Sequence, residues 1–407
     1  MIHKRVLFDM IINHLPAKEF SIITGPRQSG KTTLLQQIAG YLEQKNENVY
    51  IFTLEDHDIL HRLNKHPDRI FDIVRKNKAE RLYLLIDEIQ YLSDPSNFLK
   101  LLYDKYSPNL KIIATGSSAF YIDRKFTDSL AGRKQLFELY TLSFDEFLLF
   151  RTGESRLGRE LQHMRLHPGY ISLASHELSS LFDEYLTFGG YPAVALARGE
   201  TEKILLLKEI MNSYLKRDIT ESNISDTEKF YRLMLLLAHQ TGSLVNVNEL
   251  TNTLRLSVTA IENYLYIMRK CFHIHLVRPF YGNVRKELIK MPKVYFNDLG
   301  LRNVLMNLFT PVFQRIDKGE LVENYTFIRL RETSGLDAVR FWRTAEGHEV
   351  DFVVSHSPGS GEAIEVKYAA TAFNPGKYKR FTEAYPGFPL HIRAYDADEN
   401  RNKVLCL

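Results

Sequence analysis

Ile22-Ile23-Thr24-Gly25-Pro26-Arg27-Gln28-Ser29-Gly30-Lys31-Thr32-Thr33-Leu34 is the stretch from which the fold can be read. Gly25, Gly30, Lys31 and Thr32 satisfy every defined position of G-x-x-x-x-G-K-[ST]. An apolar run from Phe20 to Ile23 precedes it. Apolar residues at helical spacing follow: Leu34, Leu35, Ile38, Ala39 and Leu42. The pattern predicts a strand, a glycine turn and a helix N-terminus, which together aim backbone N–H groups at an anion. Gly25, Pro26, Arg27, Gln28, Ser29, Gly30, Lys31, Thr32 and Thr33 are the candidate cradle for a triphosphate. Lys31 supplies a point charge for the β- and γ-phosphates, and Thr32 a hydroxyl for Mg²⁺.

Working outward, Leu82-Tyr83-Leu84-Leu85-Ile86 is a continuous apolar run, as a strand buried on both faces requires, and it ends in Asp87-Glu88. Acids at a strand's C-terminal end sit where open α/β sheets bind ligands. Asp87 is placed to hold Mg²⁺ through water, and Glu88 to polarise the attacking water. A further strand, Lys111 to Ala114, ends in Thr115-Gly116-Ser117-Ser118, so Thr115 or Ser117 is expected to touch the γ-phosphate or that water. Val49 to Leu54 reads as another strand. Four strands alternating with helices imply a parallel sheet covered on both faces.

With 407 residues the chain exceeds one typical core, so several domains are expected. A formal charge of +4 is small for this length and does not by itself demand nucleic acid. Cys271 and Cys406, the two cysteines, suggest neither a disulfide framework nor a zinc cluster. No run reaches the roughly 18 apolar residues of a membrane helix, and the basic N-terminus lacks a signal peptide's apolar stretch and cleavage site. The expectation is a cytoplasmic protein without membrane contact.

From Ser143 to about Asp218 helical periodicity dominates, and the segment reads as a helical lid beside the nucleotide. Residues 151–180, with Gly153, Gly158 and Pro168-Gly169, read as loop. Residues 226–280 predict a helix over Thr227–His239, a short helix capped by Asn248, a third helix capped by Ser257 and running to about Lys270, then a strand from Phe272 to Val277. That is the order of a winged helix-turn-helix. The third helix would enter a major groove with Thr259, Glu262, Asn263 and Arg269 outward, although this face is not strongly basic.

The last 120 residues hold a second chemical signal. An amphipathic helix opens at Lys318 and carries Glu323. The strand Glu349-Val350-Asp351-Phe352-Val353-Val354 is followed by a turn and then by Glu362-Ala363-Ile364-Glu365-Val366-Lys367. The turn's midpoint, near 358–359, pairs Asp351 at about position 366. A register placing it opposite Glu365 or Lys367 would gather all three on one face.

Thr-Gly-Pro-Arg-Gln-Ser-Gly-Lys-Thr-Thr (24–33), Leu-Ile-Asp-Glu-Ile-Gln (85–90), Ala-Thr-Gly-Ser-Ser (114–118), Leu-Ala-Gly-Arg (130–133), Gly-Gly-Tyr-Pro (189–192) and Tyr-Leu-Lys-Arg-Asp-Ile (214–219) occur in that order. Together they resemble the AAA+ ATPases, in particular a bacterial and archaeal group with a further carboxy-terminal domain. The resemblance implies ATP with Mg²⁺, and an arginine on the developing phosphate charge, for which Arg133 and Arg217 are the candidates. The carboxy-terminal pattern, acid on a helix, acid on a strand, then E-x-K, resembles the PD-(D/E)xK nuclease superfamily, although no Pro-Asp precedes the strand. This second resemblance implies Mg²⁺ or Mn²⁺ held by Asp351 and Glu365 with support from Glu323, and Lys367 activating a water. The expected architecture is α/β: an AAA+ P-loop core over 1–142, a helical lid over 143–225, a winged helix over 226–290 and a nuclease-like α/β domain over 291–407. Three functions are compatible: an ATP-driven machine, an ATP-regulated nuclease on DNA or RNA, or a switch that captures a protein partner. A second copy of the chain is a further candidate partner.

Overall fold

A computed structural model of the protein describes residues 3–74, 81–116, 130–167, 170, 172–222, 224, 226–281, 287 and 290–396, with backbone alone at 214–216, 218, 221 and 396. The chain divides into two compact units: Met1–Tyr140 with Lys270–Phe272, and Thr141–Arg269 with His273–Leu407.

The first unit is built on five parallel strands: β1 (Phe20–Thr24), β2 (Asn48–Thr53), β3 (Leu82–Asp87), β4 (Leu110–Gly116) and β5 (Lys134–Glu138). Their order is β2-β3-β4-β1-β5. The apolar runs expected as central strands are buried along their whole length in β1, β3 and β4. One core, with Ile22, Leu84, Ile86 and Ile112, lies on one face of the sheet. The other, with Ile23, Leu35, Ile38 and Leu85, lies under helix Lys31–Gln44. The fifth strand was not expected from the sequence. Lys134-Gln135-Leu136-Phe137-Glu138 is an edge strand, and its mixed polarity gives no buried-strand signal. Ser117 lies outside the described residues.

The second unit joins helices to a sheet. Residues 151–180, expected as loop, instead carry helix Arg156–Leu166 and the start of helix Ser175–Phe188. The glycines were misleading: Gly158 sits inside a helix whose Leu157, Leu161 and Met164 are buried. The segment expected as a lid packs within the second unit. Phe144, Phe147, Leu178, Phe182 and Tyr185 share one core with Tyr325, Phe352, Ile364 and Val366, so these helices belong with the carboxy-terminal sheet. Gly189 and Gly190 are structural here. A Cβ on Gly189 would lie 2.3 Å from Asp298 Oδ1, and one on Gly190 would lie 2.3 Å from the Leu142 carbonyl oxygen. Gly190 N–H donates to Asp298 Oδ2 at 2.8 Å.

Helices Thr227–His239, Val247–Leu254 and Val258–Lys270 are followed by the antiparallel pair β6 (Ile274–Val277) and β7 (Lys293–Phe296). The cap of the middle helix is Asn246 rather than Asn248: the Asn246 side chain accepts from the N–H groups of Asn248 and Glu249. Thr259, Glu262, Asn263 and Arg269 are exposed.

A four-stranded sheet completes the unit: β8 (Val339–Arg343), β9 (Glu349–Ser357), β10 (Ser360–Ala369) and β11 (Leu390–Asp396), in the order β11-β10-β9-β8. Helix Lys318–Ser334 packs on it. Asn324 on this helix donates to the Phe296 carbonyl and accepts from the Phe296 N–H, both at 2.8 Å. One side-chain amide thus completes both backbone bonds of a strand residue and pins β7 to the helix.

Candidate functional site

The loop Gly25–Gly30 leaves β1 and enters helix Lys31–Gln44 through Gly30 at φ +94°. Gln28 also has positive φ, and Gly25 lies at +156°. No side chain fits at Gly25, because a Cβ would fall 2.1 Å from the Leu139 carbonyl oxygen. Lys31 is buried, and its ammonium donates to the Gly25 carbonyl at 3.0 Å and the Pro26 carbonyl at 2.8 Å. The Ser29 hydroxyl, fully buried in the loop, has no hydrogen-bond partner. An unsatisfied buried hydroxyl at a helix N-terminus suits an anion's oxygens.

The strand order brings three chain segments to this loop. β4 lies between β1 and β3, so Thr115 at its end stands between the loop and Asp87. The contacts follow from that. Thr32 Oγ1 donates to Asp87 Oδ2 at 2.7 Å, Thr115 Oγ1 donates to Asp87 Oδ1, and Glu88 N–H donates to Thr115 Oγ1 at 3.1 Å. Glu88 itself is held at φ +59°, an uncommon conformation for a residue with a Cβ, and its carboxylate accepts from Gln90. Lys31, Thr32, Asp87, Glu88 and Thr115 are therefore assembled in one place. Thr32 and Asp87 are oxygen donors suited to Mg²⁺.

One residue stands apart from the sequence expectation. Arg133 immediately precedes β5 at the end of the sheet opposite the loop, its carbonyl accepting from Phe20 N–H at 2.9 Å. Its guanidinium pairs with Asp104 at 2.7 Å, and this hydrogen bond raises its pKa. The structure does not bring it to the phosphate loop within the unit. Arg217 is exposed on helix Glu200–Glu221 of the second unit. Arg5, by contrast, was missed. It is buried, and its guanidinium donates to the Ser29 carbonyl at 2.8 Å and the Tyr140 carbonyl at 2.9 Å. A lone arginine in a basic N-terminus carries no sequence pattern that would single it out.

In the second unit the hairpin register settles the acidic cluster. Ile364 pairs with Phe352 and Ala363 with Val353, so the next step places Glu365 opposite Asp351, one residue from the position expected. Asp351, Glu365 and Lys367 thus share a face. Asp351 N–H points at Glu365 Oε2 at 3.4 Å, Val366 N–H donates to Asp351 Oδ2 at 2.8 Å, and Lys367 donates to Glu365. Burial, and then the facing Glu365, push Asp351 up to about 7 against the pull of Lys293. Burial likewise pushes Glu323 up to about 7, opposed by Lys293.

Lys293, Tyr295 and Glu349 join this cluster and were not singled out from the sequence. Lys293 Nζ lies 2.5 Å from Glu349, 3.1 Å from Glu323 and 3.8 Å from Asp351. Tyr295 donates to Glu323 at 2.6 Å. Among the described residues, no three His, Cys, Asp or Glu are arranged to hold a metal. Glu323, Asp351 and Glu365 therefore do not fit the divalent ion that the nuclease resemblance implied: their oxygens point at lysines, a tyrosine and backbone N–H groups.

The loop, the acid-ended strand and the interposed β4 define a P-loop nucleotide-binding core. Residues 17–148 match the AAA domain family AAA_14. Residues 17–148 thus form an AAA domain with a phosphate loop, which supports ATP binding by the chain. Residues 179–312 and 318–405 match two families described only as domains of unknown function, DUF8612 and DUF4143. The chain is similar to an uncharacterized protein of Haemophilus influenzae, 26% identical over 418 residues, spanning 100% of this chain and 93% of the relative. An uncharacterized protein of Methanocaldococcus jannaschii is 30% identical over 323 residues, 75% of this chain and 66% of the relative. The Aeropyrum pernix ORC2 protein in its ADPNP-ADP complexes is 13% identical over 74% of this chain and 91% of that one, with a TM-score of 0.36, too slight a likeness to bear on function.

Proposed function

We propose that the chain hydrolyses ATP at the phosphate loop and uses the difference between the ATP and ADP states as a switch on its second unit. The observation that carries this reading is the hydrogen-bonded chain Thr32–Asp87–Thr115–Glu88, which ties the loop to the ends of β3 and β4. Loop N–H groups and Lys31 bind the triphosphate. Thr32 and Asp87 hold Mg²⁺, which neutralises charge on the β- and γ-oxygens when bound. Glu88 orients and polarises the attacking water. Thr115, bonded to both Asp87 and the Glu88 N–H, keeps the two acids in register. A γ-phosphate that contacts Thr115 or Lys31 before cleavage and leaves afterwards supplies the differential contacts a switch needs.

For the second unit we read helices 227–239, 247–254 and 258–270 with β6 and β7 as a winged-helix module, on the support of their order. Its third helix presents Glu262 beside Thr259, Asn263 and Arg269. That surface lacks the clustered lysines and arginines that a phosphate backbone calls for, so a protein partner fits it better than DNA or RNA. Metal-dependent cutting by the last 120 residues is not part of the reading, because the carboxylates it needs are already paired.

The test is phosphate release and nucleotide binding on three proteins. The wild type binds and hydrolyses ATP. Lys31→Ala binds none in calorimetry. Glu88→Gln keeps binding and loses about 10²–10⁴-fold in turnover, the usual worth of a positioned general base. Unchanged turnover in Glu88→Gln, or ATP binding by Lys31→Ala, would overturn the assignment.

A further inference from the structure

The acidic cluster of the second unit carries a cation of its own. Lys293 is 1% exposed, and its ammonium lies among Glu349 at 2.5 Å, Glu323 at 3.1 Å and Asp351 at 3.8 Å. The ammonium meets three carboxylates supplied by two elements: Glu323 from helix Lys318–Ser334, and Glu349 and Asp351 from β9. The remaining charges are matched as well. Glu365 takes Lys367, and the outer oxygen of Glu349 takes Arg343 at 2.6 Å. Mg²⁺ needs near-octahedral oxygens at about 2.0–2.1 Å, and Mn²⁺ favours similar oxygen sets. Of the acids the nuclease resemblance names, Glu323 and Asp351 face Lys293 Nζ, and Glu365 faces Lys367.

We propose that Lys293 is the resident cation of this cluster, occupying the place between Glu323, Glu349 and Asp351 that a divalent metal would take. Its backbone is fixed by the pairing of β7 with β6 and by the Asn324 clamp on Phe296. The cation is tethered and cannot exchange with solvent ions. Nearby carboxylates hold its pKa up against the burial that would lower it. The unit thus keeps these acids together without a requirement for metal. The inference stands on the second unit alone and is independent of the ATPase reading.

The test is Mn²⁺ uptake by the nucleotide-free full chain, read by electron paramagnetic resonance as loss of the free-ion signal. The quantity compared is the uptake that Asp351→Asn abolishes. In the wild type no such uptake is expected at sub-millimolar Mn²⁺. In Lys293→Met an Asp351-dependent site appears, at least about tenfold tighter than anything the wild type shows, because removing a positive charge favours a second cation among the same acids. Asp351-dependent uptake by the wild type overturns the proposal, as does a folded Lys293→Met with none. The wild-type arm decides the matter even where Lys293→Met does not fold.

Discussion

At the residue scale, the phosphate loop shows how a short motif can leave out one of its own supports. Gly25, Gly30, Lys31 and Thr32 are legible because each is required by backbone conformation or by phosphate chemistry at fixed spacing. Arg5 is not legible, although it reaches the Ser29 and Tyr140 carbonyls. Its role depends on folding distance alone. Arg5→Ala leaves the Ser29 carbonyl without its charged donor. The expected outcome is a higher KM for ATP with a smaller change in kcat, since the loop's shape rather than its water-polarising acid is disturbed. A pure stability loss with unchanged KM in the folded fraction would show that Arg5 only holds the N-terminus. Lys293 is the residue-scale counterpart in the second unit. Removing one member of a buried charge set typically costs 3–5 kcal/mol. Lys293→Met should therefore lower the unfolding midpoint far more than Lys367→Met, whose lysine is only half-buried. Equal losses in urea titrations would contradict this.

At the element scale, periodicity was read well where a segment met one environment. Helix Thr227–His239 was legible to the residue, and the hairpin of β9 and β10 to within one position of register. It failed over 151–180, where glycine and polar residues masked helix Arg156–Leu166 and the start of helix Ser175–Phe188, most of whose buried positions come after 180. It also failed for β5, an edge strand with little to bury. One connection depends on charge. The segment before helix Lys318–Ser334 is held by Asp317, to which Arg302 donates at 2.7 Å and Arg315 at 2.8 Å. Burial alone would raise the Asp317 carboxyl, but the two guanidiniums hold it at about 2, against 3.8 ordinarily. The folded pKa is depressed, so this stabilisation is complete above pH 3.8 and is lost as the pH falls through 2. The shift corresponds to about 2 kcal/mol. Between pH 4 and 2 the wild type should lose this amount, and Asp317→Asn should not; parallel slopes in acid titrations would refute it.

At the scale of the whole molecule, the division into two units makes the switch measurable. Calorimetry should resolve two unfolding transitions. ATP with Mg²⁺ should raise the first by about 2.7 kcal/mol at a hundredfold excess over Kd. A switch also requires the second transition to move with nucleotide, because coupling between sites is reciprocal. A second transition indifferent to ATP, in protein whose first transition responds, would remove the coupling from the proposed function while leaving ATP binding in place.

The sequence alone determined the phosphate loop, the parallel strands that flank it and the acids at the end of β3, because these follow from local conformation and from burial on both faces of a sheet. It also determined that Glu365 and Lys367 share a face, through the fixed period of a strand; the hairpin register of the structure then brought Asp351 to them. Only the tertiary structure decided what those acids face. Lys293, Glu323 and Glu349 come from segments separated by dozens of residues, and an ion pair between them leaves no periodic trace along the chain. The same holds for the helices between 144 and 188, whose apolar stripes are visible in sequence but whose partner, the carboxy-terminal sheet, is chosen by packing. A stripe states that a face must be buried, and the fold states against what.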